Sequence, residues 1–313
     1  MNYSHIHIVL NHFPTIGTVF GLVLLLYALW KKDAELQLAS FIIFMVMAVL
    51  AIPTFVTGTA ASEAIKERPG LNPAMVQLHR DAAIVASSFL FLTGTFAWLA
   101  LWHYRRFQAL ARWNTWAVLG LSVVTLALML ETGTHGGEIT HPEIRAADAP
   151  EVTAPPKGQE GLGLVLEIWA NDVVWAWPLW ETLHFTGLAL LFGVMLLINF
   201  RLLGVLPKVP FSALHRLLPL GILGFGIVMI SGLLMLNGVI PRYAPVTAFY
   251  VKMFLVVIGC FSVLYVTLFE ENWALGGEEA TTVRQKIFAA TTTLLWTGVL
   301  LLGRFLPALG TGN

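Results

Sequence analysis

Apolar positions in this chain gather into eight long runs, at 8–30, 38–55, 82–102, 113–130, 173–200, 217–239, 246–269 and 287–306. A helix needs roughly 20 mostly apolar residues to cross a bilayer, and each run comes close to that length. The predicted fold is therefore all-α: a polytopic membrane protein of eight transmembrane helices. No basic segment precedes the first run and no small-residue cleavage site follows it, so it reads as a retained span and not a signal peptide. It is expected to continue past Pro14 without a break.

Polar residues between the runs set the topology. Ten Lys and Arg, among them Lys31, Lys32, Arg105, Arg106, Arg112 and Arg201, fall on the side opposite the N-terminus, and six fall on the N-terminal side. Cytoplasmic loops carry the basic excess, so both termini are expected to face outward, which for a bacterial inner membrane is the periplasm. The connection at 131–172 is long, rich in Pro, Gly and acids, and opens near His135 and His141. It divides the chain into a first four-helix unit at 1–133, a periplasmic loop at 134–172 and a second four-helix unit at 173–313. The loop is either a solvated linker or a docking surface for a periplasmic partner.

Composition narrows the chemistry. Hydrophobic residues make up 57% of the chain and charged residues 12%, half the roughly one quarter usual in soluble domains. Eighteen basic and eighteen acidic residues cancel, which leaves no basic field for nucleic acid. One cysteine, Cys260 inside an apolar run, excludes an intrachain disulfide and any cysteine-based zinc or iron–sulfur site. Nine histidines remain as the main candidate ligands.

The two halves repeat. His12-Phe13, Phe20-Gly21 and Leu24-Leu25 align without a gap on His184-Phe185, Phe192-Gly193 and Leu196-Leu197, and Thr57-Gly58 matches Ser231-Gly232. His79 follows Gly58 by 21 residues and Lys252 follows Gly232 by 20; Glu131 follows His79 by 52 and Arg304 follows Lys252 by 52. In this register His12, His79 and Glu131 correspond to His184, Lys252 and Arg304. Ionisable groups inside spans cost about 2.5–3.5 kcal/mol on insertion scales and mark function. All six fall toward the N-terminal side, which becomes the candidate functional layer.

His12 lies a turn inside the first helix, and His79 two turns into a helix that Asn72-Pro73 opens as cap and first residue. First and third helices of a sequential four-helix bundle are diagonal, so these imidazoles are expected to face one cavity as axial ligands of a haem b. Gly17, Gly21 and Gly58 would let a flat ring approach, and Arg80 and Arg145 would neutralise its propionates. The bland alternative is that His12 and His79 only hydrogen-bond between helices. By the repeat, His184 is expected to ligate a second haem, with Lys252 either opposite it or paired with Glu181, one turn before His184; the pairing with Glu181 is the expected one. Another use of His184, Glu181 and Lys252 is a quinone headgroup site, where an acid or a His takes the quinol proton. His5 and His12 share a helix face from which His7 is turned away. With His135 and His141 they form an alternative copper or zinc set, also drawing on His79 and His184. A transporter is less favoured, because the repeat is parallel and the helix interiors carry little further polar lining.

Short motifs also carry a resemblance. His12-Phe13-Pro14, Thr57-Gly58, His79 and Gly136-Gly137-Glu138-Ile139 make the first half resemble the four-helix bacterial membrane family DUF2231. Trp180-Glu181-x-x-His184, Leu202-Leu203-Gly204, Ser231-Gly232 and Phe249-x-x-Lys252 make the second half similar to the bacterial membrane family DUF6644. Ser231 stands where Thr is more usual, and His215 has no expected counterpart. The first resemblance implies a layout like that of haem-bearing membrane cytochromes. The sequence reading is a b-type cytochrome with one or two haems. It would pass electrons between the quinone pool and a periplasmic redox protein or c-type cytochrome, as the membrane subunit of a larger complex. Metal handling and a bare membrane anchor are the competing classes.

Overall fold

The computed structural model describes residues 3–69, 71–141, 173–268 and 279–310. Among them are eight helical segments long and apolar enough to cross a membrane, as the eight runs predict: Tyr3–Lys31, Ala34–Ile65, Pro73–Phe107, Arg112–Ile139, Ala176–Leu203, Phe211–Ile240, Thr247–Leu268 and Val283–Leu309. The chain is an all-α, multi-pass membrane protein. Several helices outrun their apolar stretches, because local chemistry, not hydropathy, sets their ends. Asp33 accepts hydrogen bonds from the amides of Glu35 and Leu36 at 2.9 and 3.0 Å and starts α3 (Ala34–Ile65). Asn72 accepts from Ala74 N at 2.9 Å and Pro73 takes the first turn of α4 (Pro73–Phe107), as Asn72-Pro73 predicts. The helix α5 (Arg112–Thr140) runs through the residues expected to open the long connection, so His135 stands on a helix. Residues 142–172, with Arg145, lie outside the described residues.

The first span is not continuous. It consists of α1 (Tyr3–Leu10) and α2 (His12–Lys31), broken at Asn11. Pro14 has no amide to donate to the Leu10 carbonyl, four residues back, and its ring crowds that turn. Thr54 Oγ1 points at the Leu10 carbonyl instead, at 3.4 Å. Past Pro14 the helix runs on unbroken to Lys31, as expected, and Asn11 itself keeps right-handed helical dihedrals, φ −63° and ψ −22°.

The first half closes as a ring. The pieces α1 and α2 pack on α3, α3 on α4, α4 on α5, and α5 back on α2, which leaves the first and third spans on a diagonal. In the second half α6 (Ala176–Leu203) packs against α8 (Leu218–Tyr243) and α10 (Val283–Leu309), and α9 (Thr247–Leu268) against α10; the short α7 (Phe211–His215) precedes α8. Gly187 and Gly224 bring α6 and α8 so close that a methyl on Gly224 would lie 2.7 Å from the Gly187 carbonyl oxygen. The halves join where α4 lies against α8 and α9. There Trp98 Nε1 donates to Thr267 Oγ1 at 2.9 Å, and the Trp98 ring meets Phe225 edge to face. Trp102 Nε1 donates to the His215 carbonyl at 2.9 Å, with the two rings stacked. Near the N-terminal end Arg80 donates to the Asn237 carbonyl at 2.6 Å. Trp98 and Phe225 are fully buried, so this junction is core and not a lipid-filled seam.

Candidate functional site

Three histidines occupy the same kind of seat, each on a glycine of the neighbouring helix. His7 Nδ1 lies 3.0 Å from the Thr54 carbonyl, and its ring rests on Gly58, four residues later, so closely that a methyl there would stand 2.8 Å from Cε1. His79 Nδ1 lies 2.9 Å from the Thr132 carbonyl, and its ring rests on Gly136, again four residues later, with a methyl 2.9 Å from Cε1. His184 rests on Gly232 with the same 2.9 Å separation, faces the Val228 carbonyl, and has its Nδ1 3.1 Å from Ser231 Oγ. The helical period explains the pattern: a carbonyl and the residue four positions on share one face, and a glycine there lets the imidazole edge reach the backbone.

The tautomer follows from the partner. A carbonyl only accepts, so His7 and His79 carry their proton on Nδ1, and the Nε2 lone pair is left for another group. Ser231 Oγ donates its own proton to the Ile227 carbonyl, so it too accepts from His184 Nδ1. Among the described residues no Nε2 of the three makes a hydrogen bond, and none is sealed in the core. An imidazole whose far nitrogen is tied to a carbonyl is the usual preparation for metal ligation, since that bond fixes the ring and raises its basicity.

The pairing across the bundle is also regular. His7, on the first span, and His79, on the third, face each other over the diagonal with ring centroids 6.4 Å apart and planes at 71°. In the second half Lys252, on α9, lies close enough to His184, on α6, for its charge to act on the imidazole. Lys252 Nζ stands against Gly303, 3.5 Å from where a methyl would be. His135 adds a further imidazole near His79, with Glu131 and Glu138 carboxylates 3.9 and 3.7 Å from its ring nitrogens on the same helix.

Several expected members do not join. His12 is exposed and turns its Nδ1 to the Ile8 carbonyl of its own span at 2.7 Å. The inward residue is His7, which the sequence reading turned away: it lies one heptad before Pro14 and two before Gly21, on the buried face of the span, whereas His12 lies off that face. Glu181 is exposed, and among the described residues it makes no ion pair with Lys252. Arg304 and His141 are exposed, and Arg80 is directed at Asn237 in the other half. Gly17 admits Met47, Gly21 the ring of Phe44 and Gly58 the imidazole of His7, so side chains of the protein itself lie against all three glycines expected to receive a haem. Among the described residues no three of His, Cys, Asp and Glu come together as a metal-ion set. His12, His79, His135, His141 and His184 therefore do not form the copper or zinc cluster weighed above. His7 was missed although its spacing of seven to Pro14 and fourteen to Gly21 puts it on their face.

No known protein family, curated protein or solved structure matches the chain.

Proposed function

We propose that the chain is a membrane b-type cytochrome, with one haem b held between His7 and His79. The observation that carries this reading is the facing pair, two imidazoles 6.4 Å apart across a bundle diagonal, each with Nδ1 on a backbone carbonyl and Nε2 unbonded. Two metal–imidazole bonds of about 2.0–2.1 Å in line would separate the ring centres by roughly 6 Å, the spacing found here. A bare zinc ion wants four ligands, whereas haem iron brings four nitrogens of its own and asks the protein for two. A pair of histidines suits the second need.

Bound there, the group supplies a one-electron Fe(III)/Fe(II) couple, whose potential is set by axial ligands, hydrogen bonding and burial. The chain's own residues do the rest. Thr54 and Thr132 carbonyls hold the two imidazoles in the ligating tautomer, and Gly58 and Gly136 let them reach the backbone of the neighbouring helices. On the topology read from the basic residues, this layer faces the periplasm of a bacterial inner membrane. The protein would pass electrons between the quinone pool and a periplasmic redox protein or c-type cytochrome, as the membrane subunit of a larger complex.

Carbon monoxide tests the ligation directly. With both axial positions filled by histidine, the spectrum of the dithionite-reduced protein is expected to stay unchanged under carbon monoxide. A rapid shift of the Soret band would mean an open axial position, and the paired-histidine reading would fail.

A further inference from the structure

The second half repeats the seat of the first but changes the residue opposite. His184 is held on Gly232 as His7 is held on Gly58, while Lys252 takes the register position that His79 holds in the first half, near enough to His184 for its charge to act on it. A lysine inside a span is costly, and such residues find a partner or serve a ligand. Among the described residues Lys252 makes no hydrogen bond or ion pair. Glu181, the carboxylate nearest in sequence on the opposing helix, is exposed.

The two groups ask for different things. His184 gives its Nδ1 proton to Ser231 Oγ, so its Nε2 presents a lone pair and seeks a donor. Lys252 Nζ presents N–H groups and seeks an acceptor. A metal ion would satisfy the imidazole and be repelled by the ammonium; a phosphate or carboxylate would satisfy the ammonium and meet the imidazole lone pair. A ring carrying a hydroxyl and a second oxygen satisfies both.

We propose that His184, Ser231 and Lys252 form a quinol-binding site, His184 Nε2 accepting from one hydroxyl of the headgroup and Lys252 Nζ donating to the other oxygen. This deepens the cytochrome reading and rests on it for its purpose, since it places the quinone pool's entry in the second half and the proposed haem in the first. The seat itself does not depend on haem, which lets the two be tested apart.

The test is isothermal titration of a short-chain quinol, ubiquinol-1, into the detergent-purified full chain, under anaerobic conditions, with haem content measured on the same samples. The wild type is expected to bind, and Lys252→Met to bind about 10- to 100-fold more weakly, the loss of one charge-assisted hydrogen bond, with haem content unchanged. Lys252→Arg, which keeps the donor and the charge, should recover part of the affinity and guards against a variant that merely folds badly. A wild type that ignores the quinol, or a Lys252→Met variant that binds it as well, would overturn the site. A Lys252→Met variant that loses haem would overturn it too, by making Lys252 an iron ligand. Quinol binding that depends on Lys252 in a protein without haem would uphold the site and sink the cytochrome reading alone.

Discussion

His7→Ala is expected to strip the purified protein of haem, to below about a tenth of the wild-type content, while His12→Ala leaves it unchanged. Losing a hydrogen bond to a ligand already costs about 10- to 100-fold in affinity, and His7→Ala removes the ligand itself. The contrast is sharp because the two histidines sit on one span only five residues apart. They point in different directions: His7 is seated on Gly58 against the Thr54 carbonyl, and His12 is exposed beside its own backbone. His79→Ala should match His7→Ala, and His184→Ala should match His12→Ala in haem content. Haem absorbance at equal protein, after size-exclusion chromatography to verify folding, reads all four. Loss of haem in His12→Ala with retention in His7→Ala would return the site to the sequence register.

Gly58→Ala is expected to weaken haem binding about 10- to 100-fold without unfolding the protein, and Gly136→Ala likewise. A methyl at either glycine would lie within 2.9 Å of Cε1 of the seated imidazole, so the ring must withdraw and its Nδ1 leaves the Thr54 or Thr132 carbonyl. Alanine is otherwise the better helix former by about 0.8–1.0 kcal/mol, so the thermal midpoint of the apoprotein should hold or rise. Gly120→Ala, at a glycine with open space around it, is the control. Haem retention in Gly58→Ala and Gly136→Ala equal to that in Gly120→Ala would mean that the glycine seats have no part in ligation.

Much of the architecture was legible in the residues. Long apolar runs have few alternatives to spanning helices, and Asn72-Pro73 marks the start of α4 because a capping side chain and an amide-free first residue suit a helix entrance. His79 was legible for the same reason, since its depth follows from that start. His7 was not, because a straight helix through Pro14 turns it from the face that His12 occupies. His7 belongs instead to the face of Pro14, Gly21 and Ala28, in steps of seven, and from that face it reaches Gly58. The repeat register led the same way, aligning His12 with His184 by sequence when the residue seated like His184 is His7. Glu181 misled through proximity along the chain: one turn before His184 it was expected to pair with Lys252, yet it is exposed. The glycines at 58, 136 and 232 were visible, but which ring each receives depends on helix rotation, which spacing alone does not carry.

The central claim is that His7 and His79 hold one haem b, and the pyridine haemochrome spectrum of the detergent-purified wild-type chain tests it most directly. The account predicts the absorbance of a b-type haem at close to one per chain. A colourless protein, from cells supplied with haem precursor, would contradict it.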